Sequence, residues 1–170
     1  MKFKASLDTL AIIITLATVI LFFILGYFSV RALAHSHGDL TTLLVHGGIL
    51  LLLTATLAGC YLYAPQSYVI DKEHLVIIRP AGNIKINLAD ILSVTPIPDN
   101  PWIGAIRTFG VGGLFGYYGK FYASSYGSMT YYATKLKGKI LIQTRKNKKI
   151  ILTPDDPGMT ELLKQKSALQ

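Results

Sequence analysis

Residues 42–63 read TLLVHGGILLLLTATLAGCYLY, with no Asp, Glu, Lys or Arg. As a helix rising about 1.5 Å per residue, this run covers roughly 33 Å, more than a hydrocarbon core of about 30 Å. Pro65 follows two positions later, where a helix continues only at high cost. Beyond it the composition becomes that of a small, basic, water-soluble domain. The run therefore divides the chain into an apolar part before it and a globular part after it.

A second apolar run of the same length precedes it, over residues 9–30. Only helices and closed barrels satisfy their backbone groups in lipid, so the two runs are expected to be two transmembrane helices within residues 1–63. The connection, residues 31–41, contains Gly38 and Asp39 and suits a tight turn. Arg31 and Asp39 are the only formal charges from Thr9 to Tyr63, whereas Lys2 and Lys4 flank the first run. The positive-inside bias places both termini in the cytoplasm and the short loop outside. Ala32-Leu33-Ala34 resembles a signal-peptide cleavage site, but the first run exceeds the 7–15 residues or so of a signal core, and a retained span is expected.

Within the spans, Ala55 and Gly59 form a small-xxx-small pair that suits helix–helix packing. His46 lies about a turn from the outer end of its span and reads as structural. His35 and His37 lack a third ligand for a metal site. The single cysteine, Cys60, reads as a small apolar residue of a helix.

The chain of 170 residues carries 17 Lys and Arg against 9 Asp and Glu, a net charge of +8. From residue 64 onward there are fourteen basic and seven acidic residues, so nearly all of the excess lies in the globular part. Such an excess suits an anionic membrane surface, nucleic acid or an acidic partner.

Residues 64–66, Ala-Pro-Gln, are the linker, and 67–170 the domain. Its first half reads as short strands. Residues 67–71 and 75–79 flank a turn at Lys72-Glu73-His74. In 83–88, Ile84, Ile86 and Leu88 alternate with Lys85 and Asn87, the pattern of a half-buried strand. Another strand spans 91–97, before Pro98 and Pro101. Residues 99–113, with Trp102, are expected to form a loop. Two aromatic strands, 114–125 and 129–136, then turn at Tyr126-Gly127-Ser128. Residues 139–144 and 148–153 form a hairpin over Arg145-Lys146-Asn147. A last helix is expected to begin with Thr153 as N-cap, followed by Pro154, Asp155 and Asp156. Met159, Leu162 and Leu163 would give it one apolar face.

Residues 68–166 resemble a bacterial pleckstrin-homology (PH)-like domain. The resemblance rests on IKINLADI at 84–91 with Ser93-Val94, GGLFGY at 112–117 with Gly119, Tyr132-Ala133-Thr134, and ILTPDDP at 151–157. It implies an α+β, mainly β fold: a two-helix transmembrane hairpin, then an antiparallel β-barrel or sandwich capped by a C-terminal helix. It also implies a scaffold or binding role and supplies no catalytic residues; the two spans and their orientation are what place the domain at the inner (plasma) membrane.

The chemistry-bearing motifs agree with a non-enzymatic role without a cofactor. The glycines at 110, 112, 113 and 116 lack the spacing, the Gly-Lys-Ser/Thr and the following helix of a phosphate loop, and suit a bulge or close backbone packing. No nucleophile–base pair stands out. The candidate binding surface is basic: Lys135, Lys137 and Lys139 alternate, and Arg145, Lys146, Lys148 and Lys149 cluster in the last hairpin. The expected partners are the lipid bilayer, its anionic headgroups, and a membrane or cytoplasmic protein. Nucleic acid is not among them, because strand aromatics such as Tyr117, Tyr118 and Tyr122 are more often core. The alternative is a structural or assembly subunit acting through its transmembrane helices.

Overall fold

Two aspartates start the two long helices. The Asp8 carboxylate accepts the Ala11 N–H at 2.8 Å and begins α1 (Thr9–Ala34). Asp39 accepts the Thr42 N–H at 2.8 Å and begins α2 (Leu40–Tyr63). Each carboxylate satisfies a helix N-terminal donor that would otherwise lack a partner. The computed structural model describes residues 1–36, 38–99 and 104–168. His37, Pro101 and Trp102 lie outside the described residues.

Both helices are long and apolar enough to cross a membrane. They pack on each other where Gly26 meets Leu50, which a Cβ on Gly26 would touch at 3.7 Å. Ala55 is exposed, and a Cβ on Gly59 would meet nothing within 4 Å. That pair therefore stands off the α1–α2 contact.

The first four-stranded sheet is antiparallel, in the order β1 (Lys2–Lys4), β2 (Ser67–Ile70), β3 (His74–Ile78), β4 (Ile84–Asn87). Three-residue β1 was not expected. Phe3 pairs with Tyr68, the Met1 ammonium donates to the Ile70 carbonyl at 2.6 Å, and Phe3 and Ala5 are buried. The helical hairpin thus connects two neighbouring strands of one sheet.

A 3-10 turn, Leu88–Asp90, leads into the second sheet. Its strands are β5 (Ile91–Pro96), β6 (Ile106–Gly113), β7 (Gly116–Ala123), β8 (Gly127–Ala133), β9 (Ile140–Thr144) and β10 (Lys149–Leu152). The order is β5-β9-β10-β8-β7-β6, antiparallel except for β8 and β10. The two sheets share no strand pairing, so they form an open sandwich and not the closed barrel that was one expectation. One apolar cluster fills the space between them, around Tyr68, Leu75, Ile77, Ile142 and Leu152. A second lies on the other face of the larger sheet, where Leu7 and Ala11 cover Tyr117, Tyr131 and Ala133.

Two expectations are corrected. The loop over 99–113 is strand from Ile106 onward. Its glycines conceal the strand pattern, because they serve backbone approach and not side-chain alternation. Gly110 and Gly119 face each other across β6 and β7 at φ 114° and 121°. A Cβ on either would collide with the carbonyl oxygen of the opposite strand. The last helix, α3 (Gly158–Ala168), starts five residues later than Thr153. Thr153 is fully buried, and its hydroxyl accepts the N–H groups of Thr134 (2.9 Å) and Lys135 (3.2 Å). Asp156 accepts the Gly158 N–H at 2.8 Å instead. Met159 and Leu163 are fully buried, as the spacing predicts, and α3 packs on β5.

Candidate functional site: a groove on the overhanging sheet

Six strands facing four leave part of the larger sheet uncovered. Tyr118, Lys120, Thr130 and Tyr132 point to the same side as the inter-sheet core, since Tyr118 pairs with Tyr132 and Lys120 with Thr130. Tyr132 packs against the inter-sheet cluster and Tyr118 is buried beside α2, so the open part of this surface lies around Lys120 and Thr130. A groove results, with two halves that share Lys120, Thr130 and Tyr132.

The half beside the helices measures about 660 Å³. The last turn of α2, with Gly59, Cys60 and Tyr63, forms one wall, and Phe109 and Val111 of β6 the other. This wall is fastened in place. The Tyr118 hydroxyl donates to the Cys60 carbonyl, and the Ala81 N–H donates to the Leu62 carbonyl at 2.8 Å. The Arg79 guanidinium lies 5.5 Å from the Tyr63 ring centroid and 5.9 Å from that of Tyr132. Burial pushes the Tyr118 hydroxyl far above the ordinary phenol range, with the Cys60 neighbourhood adding to the effect. Burial also raises Tyr132, against the opposing pull of Arg79.

The half away from the helices measures about 410 Å³ and is basic. Lys85, Lys120, Lys146 and Lys148 line it, against the single carboxylate of Asp90. None of these four lysines belongs to an ion pair among the described residues. Lys120 donates to the Thr130 hydroxyl at 3.0 Å. Four like charges around one hollow repel one another, and an anion placed among them would relieve that repulsion.

The basic residues singled out in the sequence separate into two groups. Lys146 and Lys148 line the groove. Beside them, the Arg145 N–H holds the Asp90 carbonyl at 2.8 Å, and the Lys149 ammonium donates to the Tyr126 carbonyl at 2.7 Å. Lys135, Lys137 and Lys139 lie at the other end of the sheet, in the β8–β9 connection beside the start of α1. There Lys135 pairs with Asp155 at 2.6 Å. Burial acts to raise the Asp155 carboxyl, but hydrogen bonds from Lys135 and Ser6 outweigh it and hold it below the usual range. At about 3.3 Å per strand residue, the two basic groups stand roughly 15–20 Å apart along the sheet. Lys85, Lys120 and Arg79 were not singled out. Lys85 looks like the solvent-facing member of an alternating strand, and Lys120 sits alone among aromatics. Only the sheet overhang brings them together.

The helix-proximal end is a clamp. Asp8 accepts the Leu136 N–H at 2.9 Å and the Tyr117 hydroxyl at 3.3 Å. The Thr15 hydroxyl accepts the Phe115 N–H at 2.9 Å, and Phe115 meets Tyr61 edge-on at 5.7 Å. The β6–β7 turn, Leu114-Phe115, thus reaches between the first turns of α1 and the last turn of α2. The Nδ1 atom of His46 is buried and has no hydrogen-bond partner among the described residues. Among the described residues, no three His, Cys, Asp or Glu side chains converge to hold a metal ion.

Compared with known proteins, residues 66–167 match the family described as Bacterial PH domain. No curated protein matches the chain, and no solved structure does.

Proposed function

The chain belongs to the bacterial PH domain family, whose members are in general non-catalytic binding modules, and from that premise we propose that it is a membrane-anchored docking module. In this reading α1 and α2 cross the inner membrane, both termini are cytoplasmic, and the domain (residues 67–170) meets anionic headgroups or a protein partner at the inner surface. The observation that carries the reading is the clamp between the helices and the β6–β7 turn. It supports a domain held in one orientation and not swinging on residues 64–66. The lengths are consistent with it. The 26 residues of α1 make about 39 Å, some 9 Å more than a hydrocarbon core. The β6–β7 turn reaches Thr15, six residues in, and the remainder of α1 spans about 30 Å.

Lys135, Lys137 and Lys139 would then face the headgroups; Lys137 and Lys139 would each contribute on the order of 1 kcal/mol on an anionic leaflet, and Lys135, paired with Asp155, less. Arg145, Lys146, Lys148 and Lys149 would stand farther from the bilayer surface than the Debye length of about 8 Å, beyond the reach of its surface charge. The test uses the full chain in nanodiscs of neutral or anionic lipid, read by amide exchange. Anionic lipid should slow exchange over residues 135–139. Equal exchange in both lipids, or a reporter fused after Gln170 that reads outside the cell, overturns the reading. A second reading, assembly through the helices, draws on the outward-facing Ala55 and Gly59. Crosslinking in intact membranes that recovers only monomer would dismiss it.

A further inference from the structure

We infer that the groove holds one anionic lipid drawn partly out of the inner leaflet, its phosphate among Lys85, Lys120, Lys146 and Lys148 and an acyl chain against Phe109, Val111 and Tyr132. The inference rests on the membrane-anchored reading above and names a ligand and a site for it.

Three observations carry it. First, the two hollows adjoin at Lys120, Thr130 and Tyr132 and together are amphipathic. The apolar half opens at the last turn of α2, and the basic half lies farther from the helices. This is the polarity of a lipid in the inner leaflet, with chains toward the bilayer and the charged head toward the cytoplasm. A lipid can therefore enter along Tyr63 without turning over. Second, the charge is uncompensated. Four lysines face one aspartate, and no ion pair neutralises any of them among the described residues. A diester phosphate supplies the missing anion, and Lys120, where the two halves meet, sits at the junction of head and chain. Third, Phe109 is 77% exposed on a strand that ends the sheet. An exposed aromatic beside an apolar hollow is the surface that a chain would cover. The two halves, about 660 and 410 Å³, each fall within the usual range of ligand sites of roughly 300–1,000 Å³. A soluble phosphate compound would use the lysines but leave the apolar half empty.

The test reconstitutes the full chain in phosphatidylcholine vesicles containing a trace of phosphatidylglycerol with a photoactivatable diazirine near its chain end. Labelled peptides are then mapped by mass spectrometry. The groove reading expects label on residues 109–111 and 130–132, besides the lipid-facing residues of α1 and α2. Reversing charge in the triple variant K120E/K146E/K148E should cut the groove label about tenfold and leave the helix label unchanged. Val111→Trp, which narrows the apolar half without touching the lysines, should also reduce the groove label. Equivalent phosphatidylcholine bearing the same diazirine should label the helices alone. The inference is overturned if label appears only on the helices, if charge reversal leaves the groove label intact, or if soluble glycerol phosphate displaces the lipid at equal concentration. A chain that shows no helix label is not in the bilayer, which removes the anchoring reading and this inference together. Helix label without groove label removes the inference alone.

Discussion

Asp8 is the residue whose loss should reveal how firmly the domain grips its helices. Its side chain caps α1 through the Ala11 N–H, accepts the Leu136 N–H from the β8–β9 connection, and accepts the Tyr117 hydroxyl of β7. Asp8→Ala removes all three at once. Loss of an N-cap costs about 0.5–2 kcal/mol. The two further donors lose an ionised acceptor, and at a half-buried site water recovers part of that, about 1 kcal/mol lost for each. The expected destabilisation is therefore about 2–4 kcal/mol, because contacts sharing one carboxylate do not add fully. Asp8→Asn keeps an oxygen for the cap but turns an amide toward the Leu136 N–H, so it should cost about half as much. The assay is urea unfolding of the full chain in detergent micelles, paired with amide exchange at Leu136. A spectroscopic readout separates the clamp from general damage. Burial, then the Asp8 charge, holds the Tyr117 hydroxyl up at about 12, so both variants should lower its titration. An alanine variant within about 0.5 kcal/mol of the parent, with unchanged exchange at Leu136, would refute the clamp as an energetic device.

Three further outcomes are expected. Gly119→Ala drives a Cβ into the Phe109 carbonyl at φ 121°, and should cost about 3 kcal/mol or more by thermal unfolding; Gly127→Ala, at φ 69° with open space around it, should cost about 1 kcal/mol. Leu163→Ala empties a fully buried position beneath α3 and should cost about 2–5 kcal/mol in urea unfolding, whereas the same change at exposed Leu92 should cost little. Tyr68 is held up at about 12 by burial, so its neutral form stabilises the fold fully below pH 10; that contribution declines as the pH rises from about 10 and is gone above 12, and Tyr68→Phe should flatten this alkaline loss.

How much of this was legible depended on which physical signal each element carries. The two helices announce themselves through apolar length, the hairpin of β2 and β3 through β-rich runs around a turn, and the strand of Ile84 and Ile86 through alternation. Met159 and Leu163 are readable as a buried face from spacing alone. What escaped notice has its stability elsewhere. Three residues, Lys2 to Lys4, are too short for any periodicity, and β1 exists because Tyr68 and Ile70 offer it an edge. Strand β6 is held by backbone pairing through Gly110 and Gly119, so its side chains alternate poorly and Phe109 stays exposed. Thr153 looks like a cap followed by acidic residues, but its hydroxyl is needed by the buried end of β8. The groove was the least legible feature. Its lysines come from β4, β7 and the β9–β10 turn, and only the mismatch of six strands against four assembles them.

The short N-terminal strand alters the mechanical meaning of the apolar run at 42–63. A domain hung from one helix through Ala64-Pro65-Gln66 would pivot on that connection. Here the chain leaves the smaller sheet at β1, passes through both helices and returns to the neighbouring strand β2. Two covalent strands therefore join the helical hairpin to a single sheet, and Asp8, Thr15, Cys60 and Leu62 hold it laterally. A tilt of the helices cannot be absorbed in a linker; it must strain the β6–β7 turn or the register of β1 on β2. Because Phe109 and Val111 of one groove wall share β6 with that turn, and Tyr63 of the other belongs to α2, the same tilt changes the groove's width. The groove walls and the helices thus share β6, its turn and the last turn of α2.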